Sequence, residues 1–182
     1  MFNLPNLFTL ARLVLAPFIA SDILRHRYRE AIVLFFVAGV SDIIDGLLAR
    51  HLKEVTPAGA YFDPIADKIL LSVIYVSLGV VGAIRWWMVA VVFGRDVLIL
   101  AMAAYGLSFT RVRKFPPSVW GKISTFFQIA AALMVMTARA GVAAPVKLSL
   151  FLMIAATLIS GLHYVWRGVA ALKQSGMDSG SL

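Results

Sequence analysis

Four aspartates set the chemistry open to this chain. Asp42 and Asp45 stand three residues apart, Asp63 and Asp67 four apart, and both pairs lie between long apolar runs. A carboxylate at bilayer depth costs roughly 2.5–3.5 kcal/mol on insertion scales, so four in one short stretch point to a function. Aspartate offers only hard oxygen donors, which suit Mg2+ and leave part of its shell to water or substrate phosphates. Two such cations could polarise a pyrophosphate and stabilise both attacking and leaving oxygens. One aspartate not needed as a ligand could accept the proton of an attacking hydroxyl. Gly46 and Gly59 let a substrate approach the backbone, small Ala49 extends that groove, and the planar fork of Arg50 suits phosphate. The same carboxylates would also serve a cation-coupled transporter. A conduit needs a polar path across the membrane, whereas 31–40 and 70–81 are almost wholly apolar apart from Ser72, Tyr75 and Ser77. A site open to one side suits an enzyme better. In a purely structural reading each aspartate would pair with a buried base, and the apolar segments supply only Arg12, Lys68 and Arg95.

Positioning these residues requires helices. A first is expected over about 5–23, opened by Pro5 and capped by asparagine. Arg12 inside it needs a carboxylate partner or a snorkelling route to water. A second over 29–51 places Asp42 and Asp45 on one face, and a third over 59–81 does the same for Asp63 and Asp67, with Pro64 near its start. A short loop between the two brings all four carboxylates to one depth. Further helices are expected over 84–107, 119–140 and 146–164. Arg95 and Asp96, adjacent in the fourth, point in different directions and are expected to face separate partners. Residues 1–173 read as a single domain and 174–182 as a flexible tail.

The composition fits a membrane. The hydrophobic fraction is 61% and the charged fraction 14%, against about 25% charged in soluble domains. The length allows about six spans of 20 residues, so the expected fold is an all-α integral membrane protein, a six-transmembrane-helix bundle. The net charge of +8 sits mostly in loops, where it sets topology and attracts anionic lipid headgroups rather than nucleic acid. With the N-terminus inside, eight loop Lys and Arg share the side of Arg50 and Lys114 and six the side of Arg25 and Arg139. That weak excess puts the aspartates at the cytoplasmic face. There is no cysteine, so metal ligands must be oxygen or histidine. The N-terminus lacks a basic region ahead of its apolar run, which argues against a cleaved signal.

The arrangement Asp42-x2-Asp45-Gly46-x2-Ala49-Arg50-x8-Gly59-x3-Asp63-x3-Asp67 resembles, at every defined position, the motif of the CDP-alcohol phosphatidyltransferases. The resemblance extends to the six-helix layout and to the opening Pro5-Asn6-Leu-Phe-Thr-Leu-Ala-Arg12. It implies transfer of a phosphatidyl group from CDP-diacylglycerol to an alcohol, releasing CMP, with Mg2+ or Mn2+. By the same resemblance Asp42, Asp45, Asp63 and Asp67 form a site for two metal ions, and Asp67 is the base for the acceptor hydroxyl. Asp42, Gly46, Ala49, Arg50 and Gly59 bind the cytidine diphosphate, and the protein is a homodimer. The setting implied is a bacterial inner membrane, with a mitochondrial inner membrane as the alternative.

Phe93-Gly94-Arg95-Asp96-Val97-Leu98 and the 118–128 stretch around Gly121-Lys122 look like the branch that makes phosphatidylglycerophosphate or cardiolipin. Arg95-Asp96, with Ala66-Asp67-Lys68-Ile69-Leu70 before it, is similar to cardiolipin synthases, which use phosphatidylglycerol as acceptor. Many phosphatidylglycerophosphate synthases, whose acceptor is glycerol 3-phosphate, carry Arg-Glu there instead, so the resemblance puts cardiolipin synthase first and phosphatidylglycerophosphate synthase as the alternative. Either acceptor bears a phosphate and needs a basic subsite. The candidates are Arg95, Lys122, Arg111, Arg113 and Lys114, of which the three loop residues are equally explained as topogenic charge.

Overall fold

In a computed structural model the chain is described over residues 4–52, 57–109 and 119–178, with side chains at 11–41, 66–102 and 119–167. The described residues form six helices and no strand: α1 Leu4–Leu24, α2 Tyr28–Leu52, α3 Pro57–Val80, α4 Trp86–Phe109, α5 Val119–Arg139 and α6 Val146–Asp178. The expected all-α class and the six helical segments are present. Two differences stand out. α6, expected over 146–164, continues to Asp178 and so into 174–178, which composition had assigned to a tail. α3 begins at Pro57, the position where a missing amide costs nothing, and this makes Pro64 its eighth residue rather than part of its start.

The chain divides into two compact units. The first comprises Met1–Arg85 and Ala132–Val146, the second Trp86–Ala131 and Lys147–Leu182. No linker marks the division, because the chain leaves the first unit after Arg85 and returns to it within α5.

In the first unit α1 packs against both α2 and α3. Ala16, Ile19 and Ile23 bury one face of α1 at helical spacing, Ala31, Phe35 and Ala38 that of α2, and Leu70, Ile74 and Leu78 that of α3. Three turns stop helices by one device. After α1, the Arg27 amide donates to the Asp22 carbonyl at 2.8 Å and the His26 amide to Ile23 at 3.0 Å, with His26 left-handed at φ 59°. The same pair of bonds closes α3 around Gly82 and α5 around Gly141, both at positive φ. This is the Schellman cap, in which a left-handed residue turns the last carbonyls onto following amides. Arg139 adds a bond from Nη2 to the Gly82 carbonyl at 3.0 Å. A Cβ built on Gly82 meets nothing within 4 Å, so Gly82→Ala carries a purely conformational cost of about 1–2 kcal/mol. It should appear as a lower midpoint in thermal unfolding in detergent.

In the second unit the apolar residues Val89, Val92, Met153 and Ala156 are buried together with Arg95, Ser124, Gln128, Thr157 and Ser160. Large apolar side chains are exposed on all six helices, among them Phe18, Phe36, Val76, Leu100, Phe126 and Leu162. Among the described residues, Val119–Arg139 and Val146–Arg167 are by themselves long and apolar enough to cross a membrane.

Candidate active site

The motif residues fall on two helices consecutive in the chain. Asp42, Asp45, Gly46, Ala49 and Arg50 occupy the C-terminal half of α2, and Gly59, Asp63 and Asp67 the N-terminal half of α3. Asp42 and Asp45 share one face of α2, Asp63 and Asp67 one face of α3. Of these eight residues only Asp67 lies among the described side chains. No group of three or more His, Asp or Glu gathers among the described residues, and Asp42, Asp45 and Asp63 are not among them. The residues between α2 and α3, and Arg111, Arg113 and Lys114, also fall outside the described chain.

Asp67 is held by Arg12. A nitrogen of the guanidinium, Nη1, donates to Oδ1 of the carboxylate, in an ion pair whose arginine is 1% exposed and whose aspartate is 46% exposed. Of the two readings for Arg12, the carboxylate partner is therefore the one the structure contains. The long arginine stem is buried within the first unit while its head fixes one edge of Asp67. The carboxylate stays accessible to a ligand. Lys68, the next base along, is only partly buried.

The expectation for Arg95 and Asp96 is corrected. Their Cβ atoms do diverge, yet Nη1 of Arg95 donates to Oδ1 of Asp96 at 2.6 Å. The arginine stem is long enough to turn back along the helix, and in a buried setting the neighbouring carboxylate is the strongest acceptor within reach. The rest of the fork crosses to other helices. Nη2 donates to Ser160 Oγ at 2.9 Å, Nε to the same oxygen at 3.3 Å, and Nη2 also to the Gly121 carbonyl at 3.4 Å. Arg95 thus joins α4 to the first turn of α5 and to α6. Lys122, next to Gly121, is exposed.

Sequence reading missed the hydroxyls that complete this interior. Ser124 and Thr157 are hydrogen-bonded at 3.2 Å, and Gln128 Nε2 lies 3.4 Å from Thr157 Oγ1. The signal was available in the spacing. Ser124 and Gln128 are four apart, Thr157 and Ser160 three apart, so each pair presents its polar groups on one face of an apolar helix.

The donor set fits a divalent cation. Four carboxylates on two helices supply hard oxygens only, and the one whose side chain is described is half exposed. The chain has no thiolate to favour a softer metal.

Comparison with known proteins extends these observations. Residues 2–166 match the family model described as CDP-alcohol phosphatidyltransferase. The chain is 32% identical over 176 residues to a Mycobacterium tuberculosis protein named "Probable phosphatidylglycerophosphate synthase", covering 92% of this chain and 82% of that one. It is 31% identical to the CDP-diacylglycerol–glycerol-3-phosphate 3-phosphatidyltransferase of Bacillus subtilis, covering 96% of this chain and all of the other. Over 105 residues it is 33% identical to the rat cardiolipin synthase (CMP-forming), a match spanning 57% of this chain and 35% of that protein.

Proposed function

The chain belongs to the CDP-alcohol phosphatidyltransferase family, and from that premise we propose that it transfers a phosphatidyl group from CDP-diacylglycerol to a glycerol hydroxyl of a phosphate-bearing acceptor. It is a phosphatidyltransferase of phospholipid synthesis. The observation that carries the finer reading is Asp67, a half-exposed carboxylate gripped at one oxygen by a buried arginine and set on the helix that also carries Asp63.

Asp42, Asp45, Asp63 and Asp67 would hold Mg2+ or Mn2+. When bound, the cations neutralise pyrophosphate charge and make CMP a better leaving group. The protein's own residues do the rest. The ion pair with Arg12 holds the Asp67 carboxylate in one orientation, so that it takes the proton of the acceptor hydroxyl as that oxygen attacks the phosphorus joined to diacylglycerol. The bond to the cytidine-bearing phosphate breaks and CMP leaves. Gly46, Ala49 and Gly59 let the cytidine diphosphate lie against helix backbone, with Arg50 on its phosphates. Lys122 meets the acceptor phosphate, helped by Arg111, Arg113 and Lys114. Arg95 contributes by fixing the turn of α5 from which Lys122 projects.

For the acceptor we put glycerol 3-phosphate first. The relatives named for that reaction match across nearly the whole chain, including α5 and α6, whereas the rat cardiolipin synthase matches over 57% of it. The Arg95-Asp96 pair, which favoured phosphatidylglycerol as acceptor from sequence, is explained by packing. Asp96 neutralises Arg95 inside the second unit. Phosphatidylglycerol is the second reading, supported by the similarity to cardiolipin synthases.

Exposed apolar side chains on every helix support a six-span bundle, since such surface is stable only against lipid or protein. The cytoplasmic orientation rests on loop charge, and the homodimer on family resemblance. The test is CMP release from CDP-diacylglycerol in liposomes with Mg2+, with glycerol 3-phosphate and phosphatidylglycerol offered in parallel. Release with glycerol 3-phosphate alone is expected. Release with phosphatidylglycerol alone reverses the choice of acceptor, and release with neither rejects both readings. Ion flux without CMP formation would restore the transporter.

A further inference from the structure

A groove of about 500 Å3 runs along the outer surface of the first unit between α1 and α3. Its floor is made of small residues, Ala16, Pro17, Ala20 and Ser21, its far wall is Ile69 and Val73, and Arg25 stands at one end. The floor is low because three of these four side chains extend no further than one heavy atom beyond Cβ and the fourth is a compact ring. From Leu13 to Leu24 the groove extends eleven residues along α1, roughly 16 Å at 1.5 Å per residue. One leaflet of a bilayer has about half of its 30 Å hydrocarbon thickness, which is the same length.

The backbone at its end is fixed, and the charge it carries makes no ion pair among the described residues. The Schellman turn after α1 pins the backbone on both sides of Arg25, with the Arg25 amide on the Ser21 carbonyl at 3.0 Å and the Arg27 amide on Asp22 at 2.8 Å. His26, left-handed in that turn, is tied to the Tyr28 hydroxyl at 3.0 Å. The nearby carboxylate of Asp22 is taken by Arg27, and Arg25, exposed, makes no ion pair among the described residues. A long apolar slot ending in an unneutralised guanidinium complements an acyl chain attached to a phosphate, which arginine binds through paired charge-assisted hydrogen bonds.

We propose that the α1–α3 groove binds one acyl chain of an anionic phospholipid whose phosphate sits on Arg25. This site is distinct from the reaction centre. Arg25 lies thirteen residues beyond Arg12, the partner of Asp67, or roughly 20 Å along the helix direction. A lipid seated there presents its headgroup at the opposite membrane face from the aspartates and is not the molecule undergoing transfer. The inference rests on the helices crossing a bilayer.

The test uses the full chain in phosphatidylcholine nanodiscs doped with a phosphatidylglycerol carrying a diazirine in one acyl chain, or with the matching phosphatidylcholine probe. Photolysis is followed by peptide mapping. Peptides spanning 13–24 and 69–73 should be labelled about tenfold more by the anionic probe than by the zwitterionic one, whose choline cation offsets the attraction of its phosphate to the Arg25 guanidinium. Arg25→Gln should bring that ratio near one, while Arg29→Gln, outside the groove, should leave it unchanged. Ala20→Phe should abolish groove labelling by both probes with the gel-filtration profile preserved. Equal labelling of the wild type by both probes, or a ratio insensitive to Arg25→Gln, overturns the proposal. So do crosslinks between two copies of the chain on this face in place of lipid. Lipid labelling of α6 without labelling of the groove rejects the groove alone, whereas no lipid labelling on any helix rejects the membrane reading beneath it.

Discussion

Asp67→Asn should lower CMP release by about 10²- to 10⁴-fold, the range contributed by a positioned general base. The substitution keeps shape and one carbonyl-type oxygen but removes the group that accepts the proton. It also converts the ion pair with Arg12 into a weaker contact to a neutral amide, around an arginine that is 1% exposed. Thermal unfolding of the variant in detergent therefore accompanies the assay. The Mg2+ concentration giving half-maximal rate separates two ways of losing activity. If Asp67 acts chiefly as base, that concentration stays near the wild-type value while the maximal rate collapses. If Asp67 acts chiefly as a metal ligand, the requirement rises and excess Mg2+ restores much of the rate. Wild-type turnover with a normal Mg2+ requirement would remove Asp67 from both roles.

The largest effect on stability is expected at Arg95. Arg95→Met deletes the cation that neutralises Asp96, whose side chain is 18% exposed, and leaves Ser160 and the Gly121 carbonyl without the donor that joins them. Breaking a buried ion pair from one side costs about 3–5 kcal/mol, most of it from the charge left behind. Replacing both partners, as in Arg95→Met with Asp96→Leu, should recover a large part of that loss. Ser160→Ala alone should cost about 1 kcal/mol, the worth of an ordinary hydrogen bond. Thermal or denaturant unfolding in detergent reads all three. A single Arg95→Met chain as stable as wild type would show that the cluster contributes no cohesion. If that stable chain also had a raised KM for acceptor, Arg95 would return to the acceptor subsite proper.

What the sequence made legible follows from the distance over which each signal acts. Helix spacing is local, so the six helical segments were readable, and their boundaries fell close to those observed except at the C-terminal end of α6, expected near 164 and found at Asp178. Partner choice is not local. Arg12 had two physically sound options, and only the packing of α1 on α3 selects Asp67. Arg95 was assigned by the direction of its Cβ, yet four methylene-length bonds of stem let the guanidinium disregard that direction and meet Asp96. The turn after α1 was equally hidden, because left-handed caps are expected at glycine or asparagine and His26 announces nothing. The third helix was expected to start near Gly59, with Pro64 in its tolerated early turns, whereas it starts two residues earlier at Pro57, a residue suited to the first helical position. The C-terminal stretch 174–178 looked like a tail because its residues are small and polar, whereas helix already formed upstream propagates more readily than it nucleates.

The return of α5 to the first unit has a consequence for biogenesis. Residues Ala132–Val146 belong with Met1–Arg85, and Arg139 within them caps the carbonyl of Gly82. During synthesis the first three helices leave the ribosome about fifty residues before the segment that completes their unit. Until then the Gly82 carbonyl lacks its guanidinium, and the surface that Ala132, Val135 and Met136 contribute to the interior has not yet been made. The half of the molecule carrying the aspartates is thus finished late, by contacts of long sequence separation, which are the slow ones to form. Completion of the unit that carries the four aspartates waits on a segment that holds none of them.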